Sequence, residues 1–123
     1  MDINEIAKIQ KEFDQAHNWS LREKNSKAVI KQINKDLIGL YGEIGEFSNL
    51  IKKLNLDIDN EIDELSLENK FHTVKNELEE ELIDSFIYLI RIATHLDMNI
   101  SEKYLYKLNI NKRRFKRYES KDK

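Results

Sequence analysis

The sequence predicts an all-α fold, a four-to-five-helix bundle built on two long central antiparallel helices, and three observations carry that expectation. The 123 residues include no proline and only three glycines, so little interrupts a helix and little supports the tight turns of a β sandwich. Leu, Ile, Lys, Glu and Asn are abundant, a helix-favouring mixture. Apolar residues recur at three- and four-residue steps through most of the chain. This length suits one domain with a single core, expected over residues 1–116, with a basic end, 117–123, expected to fray.

The first helix is expected from about Ile3 to His17, with Ile6, Ile9, Phe13 and Ala16 as its apolar stripe. "NWSLREKNS" breaks the pattern, and a long helix follows from roughly Lys27 to Leu54. "NLDIDNEIDELSLENK" is polar, acidic and weakly periodic, and reads as a connection holding at most a helical turn. A second long helix spans about Phe71 to Leu96. Its middle, "LIDSFIYLIRIA", is apolar on nearly every side, which places it at the centre of the bundle or against a second subunit. Asn99 followed by Glu102 marks a capping box opening a last helix, about Ser101 to Phe115.

Bulk chemistry narrows the function classes. The formal net charge of −2 gives no argument for a nucleic-acid partner, the basic stretch "NKRRFKRYESKDK" being a local exception. Without cysteine there is no disulfide, thiolate metal site or thiol nucleophile. "MDINEIAKIQKEF" lacks a basic start followed by an apolar run, and no stretch approaches a membrane span, so a soluble, cytoplasmic protein is expected.

The stretch "LYGEIGEFSNLIKK" carries the chemistry. Between Ile38 and Ile51 its only charges are Glu43 and Glu46, and Asp84 is likewise the only charge between Leu82 and Ile90. At about 100° per residue, Glu77, Glu81, Asp84, Tyr88, Arg91 and His95 share one stripe of the later helix. Gln32, Lys35, Gly39, Gly42, Glu43, Glu46, Asn49 and Lys53 share one on the earlier helix. If those stripes face each other, Glu43, Glu46, Glu81 and Asp84 converge, and their repulsion calls for a cation. All-oxygen ligation suits Mg²⁺, with Mn²⁺ as a substitute. Gly39 and Gly42 leave room for a ligand or a close helix crossing. Acidic pairs three apart also occur at Asp2 and Glu5, Glu61 and Glu64, and Glu77 and Glu80, so spacing alone does not single out a site. Apolar context does, because burying an unpaired carboxylate is costly. Buried salt bridges to Arg91 or Lys53, or an exposed acidic face, are the alternatives.

"GEIGEF" followed by "EELID" resembles the paired ExxE and ExxD motifs of the MazG-like, all-α nucleoside triphosphate pyrophosphohydrolase superfamily, which includes dimeric dUTPases and dCTP pyrophosphatases. "EFDQAHNW" resembles the segment before the first motif in the dCTP pyrophosphatase branch. "KLNINKRRF" resembles the closing K…N..R(Y/F) pattern. The resemblance implies Mg²⁺ ligation by Glu43, Glu46, Glu81 and Asp84, with Glu46 positioning the attacking water. It implies triphosphate contacts from Lys107, Asn111 and Arg114, and substrate contacts from Tyr88 and Trp19. Hydrolysis between the α and β phosphates would give a monophosphate and pyrophosphate, in nucleotide pool control.

Three features depart from that pattern: a longer gap from Glu46 to Glu81, a longer stretch from Trp19 to Glu43 with "IKQINKDL" before the first motif, and Phe115–Lys116 after Arg114. Base specificity therefore does not transfer. Trp19 equally suits a base-stacking ring or an anchor for the first helix, and His72 and His95 suit surface or interface positions. A non-catalytic helical module with a vestigial acidic site, and a phosphoribosyl-ATP pyrophosphohydrolase-like enzyme, are competing readings. The crowded apolar surface of residues 82–93 predicts a homodimer, or a dimer of dimers forming a homotetramer.

Overall fold

The computed structural model describes residues 1–21 and 23–119, and among these every regular element is helical. Four α-helices follow in order, α1 (Ile3–Ala16), α2 (Ser26–Asp59), α3 (Glu64–His95) and α4 (Ile100–Arg114), with a 3₁₀ turn at Lys116–Tyr118. No helix among the described residues is long and apolar enough to cross a membrane. Of the end expected to fray, Arg117 and Tyr118 lie in that turn, and residues 120–123 lie outside the described chain.

α2 and α3 form one long antiparallel hairpin. The wide connection expected over residues 55–69 contracts to four residues, Asn60 to Asp63, because α2 continues to Asp59 and α3 already starts at Glu64. Two devices fix that turn. Asp63 caps α3, accepting from the Ser66 backbone N–H at 2.8 Å and the Ser66 hydroxyl at 2.8 Å, bonds that hold its carboxyl below the ordinary range. Glu61 takes a left-handed φ of 60°, while the Ile62 and Glu61 N–H groups bond back to the Asp57 and Ile58 carbonyls, both at 3.0 Å. The same closure ends α1 through Asn18 and α3 through Asp97. None of these left-handed positions is glycine, so the usual stop signal is missing from the sequence.

The hairpin is joined along a stripe of alternating three- and four-residue steps. On α2 it passes through Val29, Ile33, Asp36, Leu40, Glu43, Phe47, Leu50, Leu54 and Asp57, all buried or half-buried. Its counterpart on α3 includes Leu67, Val74, Leu78, Glu81, Ser85, Tyr88, Ile92 and His95. These stripes are rotated from the expected ones: Lys35, Gly42, Glu46, Asn49, Lys53, Glu77 and Asp84 are exposed. Gly39 is the close crossing. A Cβ built there would lie 2.3 Å from Cζ of Tyr88, so the missing side chain makes room for that ring.

α1 lies against α3 and α4 against α1. The phase of α1 differs from expectation. Ile3, Ile6, Ala7, Gln10 and Asp14 turn inward, while Ile9, Phe13 and Ala16 are exposed, because buried Asp14 pulls its side of the helix onto Arg91. At the other end, Asn4 donates to Asn99 Oδ1 at 3.0 Å and accepts from the Ser101 N–H at 3.3 Å. Asn99 also caps α4 through the Glu102 N–H at 3.1 Å.

Much apolar surface remains outside. The chain exposes 10057 Å², against roughly 6,900 Å² for a compact monomer of its mass. Leu82, Ile83, Phe86 and Leu89 of α3 and Ile38, Tyr41 and Ile44 of α2 are all exposed.

Candidate functional site

Three carboxylates occupy the joining stripe of α2, and each meets a different group on α3. Asp36 accepts from His95 Nε2 at 2.7 Å, with the imidazole donating from that nitrogen. Asp57 takes Lys70 at 2.9 Å. Glu43 meets Glu81 instead, and Glu46, one turn farther along, joins them: one carboxylate oxygen from each of the three lies within 4.8 Å of the others.

Among the described residues no Lys, Arg or His forms an ion pair with Glu43, Glu46 or Glu81, and the Arg91 expected as one alternative is engaged by Asp14. Glu81 Oε2 is shut off from solvent and lacks a hydrogen-bond donor. Its contacts to the other two glutamates are hydrogen bonds only while a proton is shared. Hydrogen bonding to Glu43 and then Glu46, with burial and the repulsion of both, pushes the Glu81 carboxyl up to about 7. An orphaned buried oxygen, three hard donors and no neighbouring cation fit a divalent ion of the Mg²⁺ or Mn²⁺ class.

Asp84 is exposed and does not join the group. Lys107, Asn111 and Arg114 are exposed on α4, whose helical partner is α1. Tyr88 and Trp19 do approach a common group. The Arg91 guanidinium lies 5.4 Å from the Tyr88 ring centre and 5.7 Å from that of Trp19. Trp19 is half exposed, stacked on His17 at 4.9 Å and edge-on to Phe13 at 5.8 Å, so it anchors the end of α1 with one face outward.

Two buried polar pairs escaped the sequence reading. Asp14 receives both Arg91 Nη2 at 2.9 Å and Arg91 Nε at 3.0 Å, and Asp36 receives His95. The available signal was position: Asp36 continues the Val29, Ile33, Leu40 spacing, and Asp14 continues Ile3, Ala7, Gln10. His95 is buried between α2 and α3, and His72 is exposed. No protein-family model matches the chain, and neither a curated protein nor a solved structure is significantly similar to it.

Proposed function

We propose that this chain is a divalent-cation-dependent nucleoside triphosphate pyrophosphohydrolase acting through Glu43, Glu46 and Glu81. The observation that carries the cation is the contrast along α2, where two core-facing carboxylates meet a basic side chain, Asp36 with His95 and Asp57 with Lys70, and Glu43 meets only the carboxylates of Glu81 and Glu46. Crowded acids are costly without charge compensation, so the group is built to be neutralised from outside the chain. The step from cation to triphosphate rests on the resemblance of "GEIGEF", "EELID" and "KLNINKRRF" to the pyrophosphohydrolase motifs.

Glu43 and Glu81 would hold the ion from the helix interface, and Glu46, the exposed member, would orient the attacking water. Bound there, Mg²⁺ or Mn²⁺ supplies Lewis acidity toward the triphosphate and compensates charge on the leaving pyrophosphate. The outward face of Trp19 offers aromatic surface to a base. Lys107, Asn111 and Arg114 are exposed on α4, which packs on α1, and in a dimer they would be free to reach the substrate of a second copy. The exposed Leu82, Ile83, Phe86 and Leu89 of α3 and Ile38, Tyr41 and Ile44 of α2 are the apolar surface that supports a homodimer seated on the bare α2–α3 face.

A panel of ribo- and deoxyribonucleoside triphosphates and phosphoribosyl-ATP, incubated with Mg²⁺ and resolved by ion-exchange chromatography, tests the reading. Monophosphate and pyrophosphate, abolished by EDTA, are expected. Diphosphate and orthophosphate would contradict the bond assignment, and turnover of phosphoribosyl-ATP alone would move the substrate. A Mg²⁺-induced rise in melting temperature with no hydrolysis of any member would assign a non-catalytic module.

A further inference from the structure

We infer that the cavity where α1, the α1–α2 connection and the end of α3 meet is a second ligand site, an oxyanion pocket for a phosphate group. It encloses about 110 Å³ and is walled in part by Lys11 of α1, Ser20 and Lys24 of the connection, and Arg91, Thr94 and His95 of α3. His95 stands fourteen residues from Glu81, roughly 21 Å at 1.5 Å per helical residue, so the pocket is separate from the carboxylate group.

The hydrogen-bonding balance of the walls decides the class of ligand. The acids here are already committed. Asp14 Oδ1 accepts from Arg91 Nη2 and Gln10 Nε2, both at 2.9 Å, and its Oδ2 accepts from Arg91 Nε at 3.0 Å. Behind the imidazole, Asp36 accepts from His95 Nε2 and, at 3.2 Å, from Gln32 Nε2. Lys24 spends one N–H on Asp97 at 2.7 Å, and the Lys11 charge also acts on Asp97. The remaining polar groups of the walls are two ammonium groups, a guanidinium whose Nη1 has no hydrogen bond among the described residues, and the Ser20 and Thr94 hydroxyls, which can donate. Gln15, at the same wall, adds an amide that both donates and accepts. His95 Nδ1 has no hydrogen bond among the described residues, and it either accepts from a protonated phosphate oxygen or donates once charged. A donor-rich cavity with fixed guanidinium geometry is complementary to a small, acceptor-rich anion.

The inference does not rest on the proposed hydrolase activity. The phosphate has two sources, inorganic phosphate and the phosphate of a mononucleotide, and both are tested. Trp19, the single tryptophan, lies against Arg91 and reports occupancy. Its fluorescence is followed at constant ionic strength in EDTA, which keeps metal-dependent binding at the carboxylates out of the measurement. A saturable change with inorganic phosphate assigns the free anion, and one with mononucleotide but not with the matching nucleoside, which carries the base without the phosphate, assigns a nucleotide phosphate. Either midpoint rises about tenfold in the double variant Lys11→Gln, Lys24→Gln, whose positions are exposed, and stays put in Lys52→Gln and Glu81→Gln. No saturable change with either ligand, the same response to chloride, or an unshifted midpoint in the double variant overturns the site.

Discussion

Replacing Glu81 with glutamine separates a cation site from an inert acidic cluster. The Glu81 carboxyl titrates at 4.5 in its ordinary state and is pushed up to about 7 in the fold. The sign follows from proton binding. Below 4.5 both states hold the proton and the cluster costs nothing extra; between 4.5 and about 7 only the folded state keeps it, so stability falls as pH rises through that window. Near pH 7 the folded carboxyl is partly protonated, and at pH 8 it is mostly ionised. Cation binding requires the ionised carboxylate, so Mg²⁺ should displace protons near pH 7 and fewer at pH 8. Isothermal titration of Mg²⁺ into the metal-free protein, repeated in two buffers of different ionisation enthalpy, counts those protons. Glu81→Gln should abolish the release, weaken Mg²⁺ binding and flatten the metal-free stability profile between pH 5 and 8 relative to wild type. Tight Mg²⁺ binding without proton release at pH 7, or release that persists in the variant, refutes the assignment of the ion to this group.

Other expectations follow from particular contacts. Glu46→Gln removes a charge from a repulsive cluster, so metal-free melting holds or rises while triphosphate hydrolysis falls by about 100-fold or more; a destabilised variant with normal turnover would remove Glu46 from the site. Asp14→Asn leaves Arg91 half-buried without its counter-charge and should cost about 3–5 kcal/mol in urea unfolding, a loss under about 1 kcal/mol showing the pair to be dispensable. Glu61→Gly relieves a left-handed residue and should stabilise the hairpin turn by about 1 kcal/mol, whereas a loss would mean the turn is not closed as described. Light scattering should give at least twice the 14.7 kDa chain mass at micromolar concentration, and a stable species at 14.7 kDa would discard the second copy.

The all-α class and the order of four helices were legible because composition and three-to-four periodicity act locally. The ends of α1 and α4 agree within a residue or two, since Asp2 and Asn99 cap the side they precede. The end of α2 was not legible. Its stop depends on Glu61 accepting a left-handed backbone, and Lys70 on the returning helix secures Asp57 just before it. Neither signal is visible until the hairpin has closed. The α1 stripe misled for a related reason: Ile9 and Phe13 are the larger apolar residues, yet Asp14 faces inward because a bidentate arginine awaits it. Hydrophobic periodicity finds the face that most apolar residues share, and a buried ion pair outweighs it over fourteen residues.

The candidate site shows the same division between what one helix determines and what its partner determines. That Glu43 is set among apolar residues could be read from the chain, and so could the carboxylates of "EELID". Asp36 and Asp57 occupy equivalent steps of the same stripe, and nothing in α2 alone separates them from Glu43. The antiparallel register makes the difference: it sets His95 opposite Asp36, Lys70 opposite Asp57 and Glu81 opposite Glu43. Gly39 helps hold that register, because the Tyr88 ring fills the place of its side chain. A slide of one helical turn, about 5.4 Å, would take Glu81 away from Glu43 and Tyr88 away from the one stripe-bordering glycine that admits it. Packing therefore selects the register that gathers the acids, and their repulsion is a cost the fold accepts at that position.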